Sequence, residues 1–154
     1  MFTRSREGRE EMKDLEELAR IAVDCGFHIH SELGPGLLES VYEATMSASL
    51  MRAGLMIERQ KPISIEYDGL VIAEGFRADI MVENRLILEI KSIERLAAVH
   101  GKQLLTYLRL AKQPLGLLMN FGGATFREGV KRVVNKHTDF ASSRLRLNQS
   151  FLQK

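Results

Sequence analysis

The sequence predicts a mixed α/β fold, with helices packed on a sheet. Three observations predict it. Two stretches of helical apolar periodicity open the chain. Alternating, strand-like segments joined by tight turns follow. A further helical stretch then leads into a short, almost wholly apolar run.

Residues 1–10 read as a loose polar lead-in, and helical patterning begins near residue 11. Leu15, Leu18, Ala22, Cys25 and Ile29 recur at steps of three and four, forming one apolar stripe. "LGPG" at 33–36 ends that helix, because Pro35 cannot continue it and two glycines free the backbone. A second helix is expected from about Leu37 to Ala53, with Gly54 ending it in a left-handed conformation. It carries two apolar stripes: Leu37, Val41, Ala44, Ala48 and Met51, and then Tyr42, Met46 and Leu50. With so much of its circumference apolar, it is expected to be well buried.

The strand-like part begins with "ISIEY" (63–67), which alternates. "DG" (68–69) is a strong hairpin turn, and "LVIAEGFRADIMV" (70–82) continues beyond it. Gly75 marks a bulge or bend in that long segment. "ENR" (83–85) makes a second tight connection to "LILEIKS" (86–92). A third helix is expected over about Glu94 to Lys112, with Pro114 just past its end. "LGLLMNF" (115–121) reads as a buried strand, and "GG" (122–123) turns the chain. "REGVKRVVN" (127–135) is compatible with a last strand or a helical turn. The pattern therefore describes one domain over 11–135, followed by a basic C-terminal tail at 136–154.

Composition excludes several classes. The chain has 154 residues, of which 45% are apolar, enough for the core of one ordinary domain. Its net charge of +2 neither demands nor excludes a nucleic-acid partner. Cys25 is the sole cysteine, which rules out an intramolecular disulfide and argues against a cysteine-built zinc site. No apolar run approaches the ~20 residues that span a bilayer. The polar start "MFTRSREGREEMKD" lacks the apolar core of a signal peptide, so no membrane partner and a cytoplasmic location are expected.

The chemistry concentrates on the second hairpin. In "LILEIK", Leu86, Leu88 and Ile90 point to one face, and Ile87, Glu89 and Lys91 to the other. Assuming a three-residue loop that closes Val82 against Leu86, Met81 lies opposite Ile87 and Asp79 opposite Glu89; a two-residue loop would shift the register by one. Two carboxylates about 5 Å apart on a mostly apolar sheet repel. A shared proton, a basic neighbour such as Lys91, or a divalent cation would offset that repulsion. A hard cation such as Mg²⁺ suits such oxygens best. E-x-K tripeptides are common, so it is the matched aspartate and the apolar strand that single this one out. On the following helix, Leu96, His100, Gln103, Tyr107 and Leu110 share a face. Gln103 could orient a water, a carboxylate or a phosphate, while His100 reads as a satisfied or solvated histidine.

"HSELGPGLLESVYE", "GFRADIMV", "LILEIKS", "QLLTYLRL" and "LGLLMNFG", in this order over about residues 15–135, resemble the GxxExxY family. Gly36, Glu39 and Tyr42 match its motif. That family is similar to the PD-(D/E)XK nuclease superfamily, so the resemblance implies a restriction-endonuclease-like αβββαβ core, a mixed central sheet flanked by helices. It implies Mg²⁺ or Mn²⁺ as cofactor and hydrolysis of phosphodiester bonds in nucleic acid, DNA favoured. Asp79 and Glu89 resemble the two carboxylate ligands, the Ile90 carbonyl a third, and Lys91 the lysine that positions water or stabilises developing charge. Ala78 replaces the motif's proline. Glu39 resembles an extra helix glutamate, and Gln103 the polar residue on the helix after E-x-K. Tyr42, Tyr107 and His100 take supporting places around the pocket. The alternative is a catalytically silent nucleic-acid-binding or assembly module of the same fold.

A bland account of Glu39 is compatible with this. With Gly36 as N-cap, Glu39 stands at the third helical position, where an acid favours the helix dipole. Arg127, Lys131 and Arg132 open the most basic stretch, which reads either as phosphate contacts or as a solvated segment with a positive bias. Leu145, Leu147, Phe151 and Leu152 could supply a homodimer interface or fold back on the core.

Overall fold

The computed structural model describes residues 13–136. The expected lead-in at 1–10 and the tail beyond Lys136, with Leu145, Leu147, Phe151 and Leu152, lie outside the described residues. Helix α1 (Leu15–Leu33) starts later than its periodicity suggests. Asp14 starts it, its carboxylate accepting the Glu17 N–H at 2.9 Å. Gly34, at φ +73°, ends it as expected.

Helix α2 (Glu39–Arg52) follows, with Leu38 rather than Gly36 as N-cap. Glu39 is therefore the first helical residue and not the third. Gly54 sits past the helix end at φ +85°. Tyr42, Met46 and Leu50 are fully buried, but the other apolar stripe is not: Leu37 is 40% exposed, Val41 37% and Met51 63%. A helix lying on one layer buries a stripe of about 100° and leaves the rest in solvent.

Five strands form one mixed sheet in the order β1 (Ile57–Tyr67), β2 (Leu70–Val82), β3 (Leu86–Lys91), β4 (Leu115–Asn120), β5 (Val130–Val134). Only the β3–β4 pair is parallel, and helix α3 (Ala98–Ala111) makes the crossover between them. The core is the expected αβββαβ arrangement. Helices α1 and α2 cover one face, where Leu18, Tyr42, Met46 and Leu50 pack with Ile80, Leu86, Leu88 and Ile90. On the other face Leu104 and Leu108 of α3 pack with Met81, Ile87 and Leu118. The alternation expected for β3 thus separates two cores.

Strand β1 begins six residues before "ISIEY". The charged run ahead of it hides the strand, and Pro62 is tolerated because β1 lies at the sheet edge. The β1–β2 register shifts between Ile63 and Ile65, opposite the segment that holds Gly75. "REGVKRVVN" divides: helix α4 (Phe126–Gly129) is a single turn, and β5 follows at once. No helix among the described residues is long and apolar enough to cross a membrane.

The ends of β3 and β4 are clamped together. The buried Asn120 amide donates to the Ile93 carbonyl at 2.9 Å and accepts the Ile93 and Gly122 N–H groups at 3.0 and 3.1 Å. A Cβ on Gly122 would lie 2.2 Å from the Ile93 carbonyl oxygen. Gly122→Ala is therefore expected to destabilise the fold by about 1–3 kcal/mol, read as a lowered midpoint in thermal denaturation.

Candidate active site

The β2–β3 hairpin has the expected register: Val82 faces Leu86, Met81 faces Ile87 and Ile80 faces Leu88. The backbone ladder stops there. At the next pair, side chains replace backbone partners. The Asp79 carboxylate (Oδ2) accepts the Ile90 N–H at 2.8 Å, and Glu89 Oε1 accepts the Asp79 N–H at 3.3 Å. Each carboxylate is thus tied to the opposite strand, and the two acids meet where the strands part.

Glu89 is only 8% exposed. Burial and then the Asp79 charge push its carboxyl up to about 8, against weaker opposition from the Asp79 N–H and Lys91. The pair therefore holds a proton at neutral pH. Lys91 follows on the same face of β3, half-buried, with no ion pair among the described residues. Burial, followed by Glu89 and Asp79, raises the Tyr107 hydroxyl above its ordinary value, which places this tyrosine in the field of both acids. Its ring stacks on Phe76, centroids 4.1 Å apart.

The other candidates scatter more widely. Glu39 is exposed at the start of α2, and its carboxylate makes no hydrogen bond among the described residues. The loop before it is near the site strand, since Ser92, next after Lys91, donates its hydroxyl to the Leu37 carbonyl at 2.5 Å. Tyr42 is buried and stacks on Phe121 at 4.6 Å; its hydroxyl donates to the Gly34 carbonyl and accepts the Leu37 N–H. It braces the "LGPG" turn. Gln103 is exposed on α3, one turn before Tyr107. His100 Nδ1 accepts the Ala97 N–H at 2.9 Å, a helix-capping contact in keeping with its bland reading. The three basic residues do not form one patch. Arg127 is exposed on α4, Lys131 extends over Gly101 of α3, and Arg132 is paired with Glu16 of α1.

Sequence reasoning missed Glu43, Arg59 and Gln60. Glu43, four residues after Glu39, is 8% exposed and takes Arg59 Nε and Nη2 at 3.1 and 2.9 Å. It also accepts Gln60 Nε2 at 2.5 Å, and that same nitrogen donates to Asp79 Oδ1 at 3.2 Å. A buried helix carboxylate was legible from the Tyr42 stripe only as a neighbour. Its partners lie 16 and 17 residues away, on the part of β1 ahead of "ISIEY", which has no alternating pattern.

No group of three or more His, Cys, Asp or Glu side chains among the described residues forms a ready metal cluster. The donor set at the strand gap is two carboxylates. It fits a small hard cation that keeps several waters, such as Mg²⁺, better than one enclosed by protein ligands. A profile of the PD-(D/E)XK nuclease superfamily matches residues 16–133, most of the chain. The chain belongs to the PD-(D/E)XK nuclease superfamily. In this superfamily member the match runs from the first turn of α1 into β5. Searches of curated proteins and of solved structures returned no match.

Proposed function

We propose that this PD-(D/E)XK protein is a nuclease of the GxxExxY type that hydrolyses phosphodiester bonds of DNA or structured nucleic acid with Mg²⁺ or Mn²⁺. The observation that carries the reading is the Asp79–Glu89 pair at the strand gap, with Glu89 buried and with Lys91 beside it, in no ion pair among the described residues. Two acids forced together without a full counter-charge form a site that a divalent cation would relieve.

Asp79 and Glu89 would hold the cation, with the Ile90 carbonyl as a further donor. In an extended strand a residue's N–H and C=O point to the same side, and the Ile90 N–H points to Asp79. Glu39 is proposed as a ligand to the cation's waters, reached from the loop that Ser92 tethers. Bound there, the cation would polarise a phosphoryl oxygen and lower the pKa of a water. Lys91 would place positive charge where the transition state is most anionic. Gln103 and Tyr107 would orient the attacking water or a phosphate oxygen from α3. Arg127 and Lys131 would contact backbone phosphates away from the site, whereas Arg132 must first give up Glu16.

Calorimetric titration with Mn²⁺ or Mg²⁺ tests the reading. The wild type is expected to bind, and Asp79→Ala to lose at least about 10-fold in affinity with its fold retained. Absence of binding to the wild type would sink the metal-dependent reading.

A further inference from the structure

Gln60 carries the only positive φ of a non-glycine residue inside a strand among the described residues, at +48°. The other four occupy the hairpin turn at Asp68, the β2–β3 loop at Glu83 and Asn84, and the α3 C-cap at Lys112. Left-handed backbone is costly for a residue with a Cβ, and such strain persists only where surrounding structure holds it. The β1–β2 ladder pairs Arg59 with Ile80 and Lys61 with Ala78, so Gln60 stands across from Asp79, at a point where pairing is broken.

The strain has an identifiable result. Consecutive side chains of a regular strand point to opposite faces. Arg59 and Gln60 could not both reach Glu43 from such a strand, yet here both do. The left-handed turn removes the alternation and brings the Gln60 amide between two carboxylates. Its nitrogen uses one hydrogen on Glu43 and the other on Asp79. Glu43 is itself fixed by two bonds from the Arg59 guanidinium. Asp79 is consequently held at both oxygens, Oδ1 by Gln60 and Oδ2 by the Ile90 N–H.

We propose that Gln60 is the positioning residue of the site: it transmits the anchored Glu43–Arg59 pair of α2 and β1 to Asp79 and fixes the direction of that carboxylate toward the strand gap. The assignment rests on the metal-site reading for its purpose, but not for its geometry. A neutral double donor is suited to the task, since it orders an acid without adding charge that would compete with a cation.

Two variants separate positioning from folding. Gln60→Gly keeps the left-handed backbone without a Cβ and removes the amide. Gln60→Glu keeps the length and loses the donor. In both, amide hydrogen exchange of the metal-free protein at the Ile90 N–H is expected to accelerate by about 10-fold or more, because its acceptor is no longer held, while exchange at Leu88 stays within about twofold of wild type. Mn²⁺ affinity by calorimetry is expected to fall about 10- to 100-fold, as for loss of an outer partner of a metal ligand. In Glu43→Gln the affinity loss should not add to that of Gln60→Gly, because both act through one amide. Unchanged Ile90 exchange in both Gln60 variants would overturn the assignment. Uniform acceleration at Ile90 and Leu88 would do so too, since it would mark a structural role only. A wild type that binds no Mn²⁺ would remove the metal reading and leave the exchange result to decide the role of Gln60.

Discussion

Lys91→Ala is expected to slow metal-dependent phosphodiester cleavage by about 10²–10³-fold while leaving the fold intact. The side chain is half-buried and forms no ion pair among the described residues, so its removal breaks no structural contact of that kind. Its charge acts on Glu89, whose carboxyl it pulls down against burial and Asp79. A cation placed this way is worth most when negative charge accumulates beside it, which happens in the transition state and not in the resting site. The loss should therefore fall mainly on kcat. Cation affinity, which depends on Asp79 and Glu89, should change far less, because the lost charge both repelled the cation and favoured ionised Glu89.

Glu89→Gln should make the metal-free protein more stable at pH 8 and should flatten its stability across pH 5–8. The sign follows from the raised carboxyl. Below about 4.5, the ordinary value, Glu89 is protonated in both the folded and the unfolded chain and costs nothing extra. Between about 4.5 and about 8 the unfolded chain has released this proton and the folded chain has kept it. The native state then binds more protons, so stability falls as pH rises. Above about 8 both states are ionised and the slope ends. The accumulated loss is of order a few kcal/mol, or several degrees in Tm. A glutamine cannot ionise, and its amide can donate to Asp79 where the glutamate repels it. Other groups titrate in the same range, so the difference between wild type and variant carries the result. By the same linkage, Mn²⁺ binding to the wild type should release a proton near pH 7 and tighten up to about pH 8.

Much of the hairpin was legible because sheet geometry is local there. Period-two alternation fixed which residues share a face, and the assumed three-residue loop is the one that forms, bringing Asp79 to Glu89. The almost wholly apolar β4 was legible for the same kind of reason: a strand buried on both faces carries few polar positions, here Asn120 alone. What failed depended on tertiary packing. The apolar pattern of α2 did not reveal that one of its two stripes would face solvent. The start of β1 was hidden because its charged residues find partners in other elements, Arg59 in Glu43 of α2 and Lys61 in Asn84 beyond β2. Nothing in the string around Gln60 signals a left-handed glutamine, since that conformation is normally the territory of glycine and asparagine. Glu39 was singled out by its motif spacing, yet the carboxylate that α2 turns inward is Glu43, one helical turn later.

Cleavage of single-stranded, duplex and branched DNA, with and without Mn²⁺, by the wild type and by Asp79→Ala and Lys91→Ala tests the central claim most directly. The account predicts cleavage of at least one of these substrates by the wild type only when Mn²⁺ is present, with loss of activity in both variants. Wild-type protein that binds Mn²⁺ but cleaves none of them, or cleavage that persists in both variants, would contradict it.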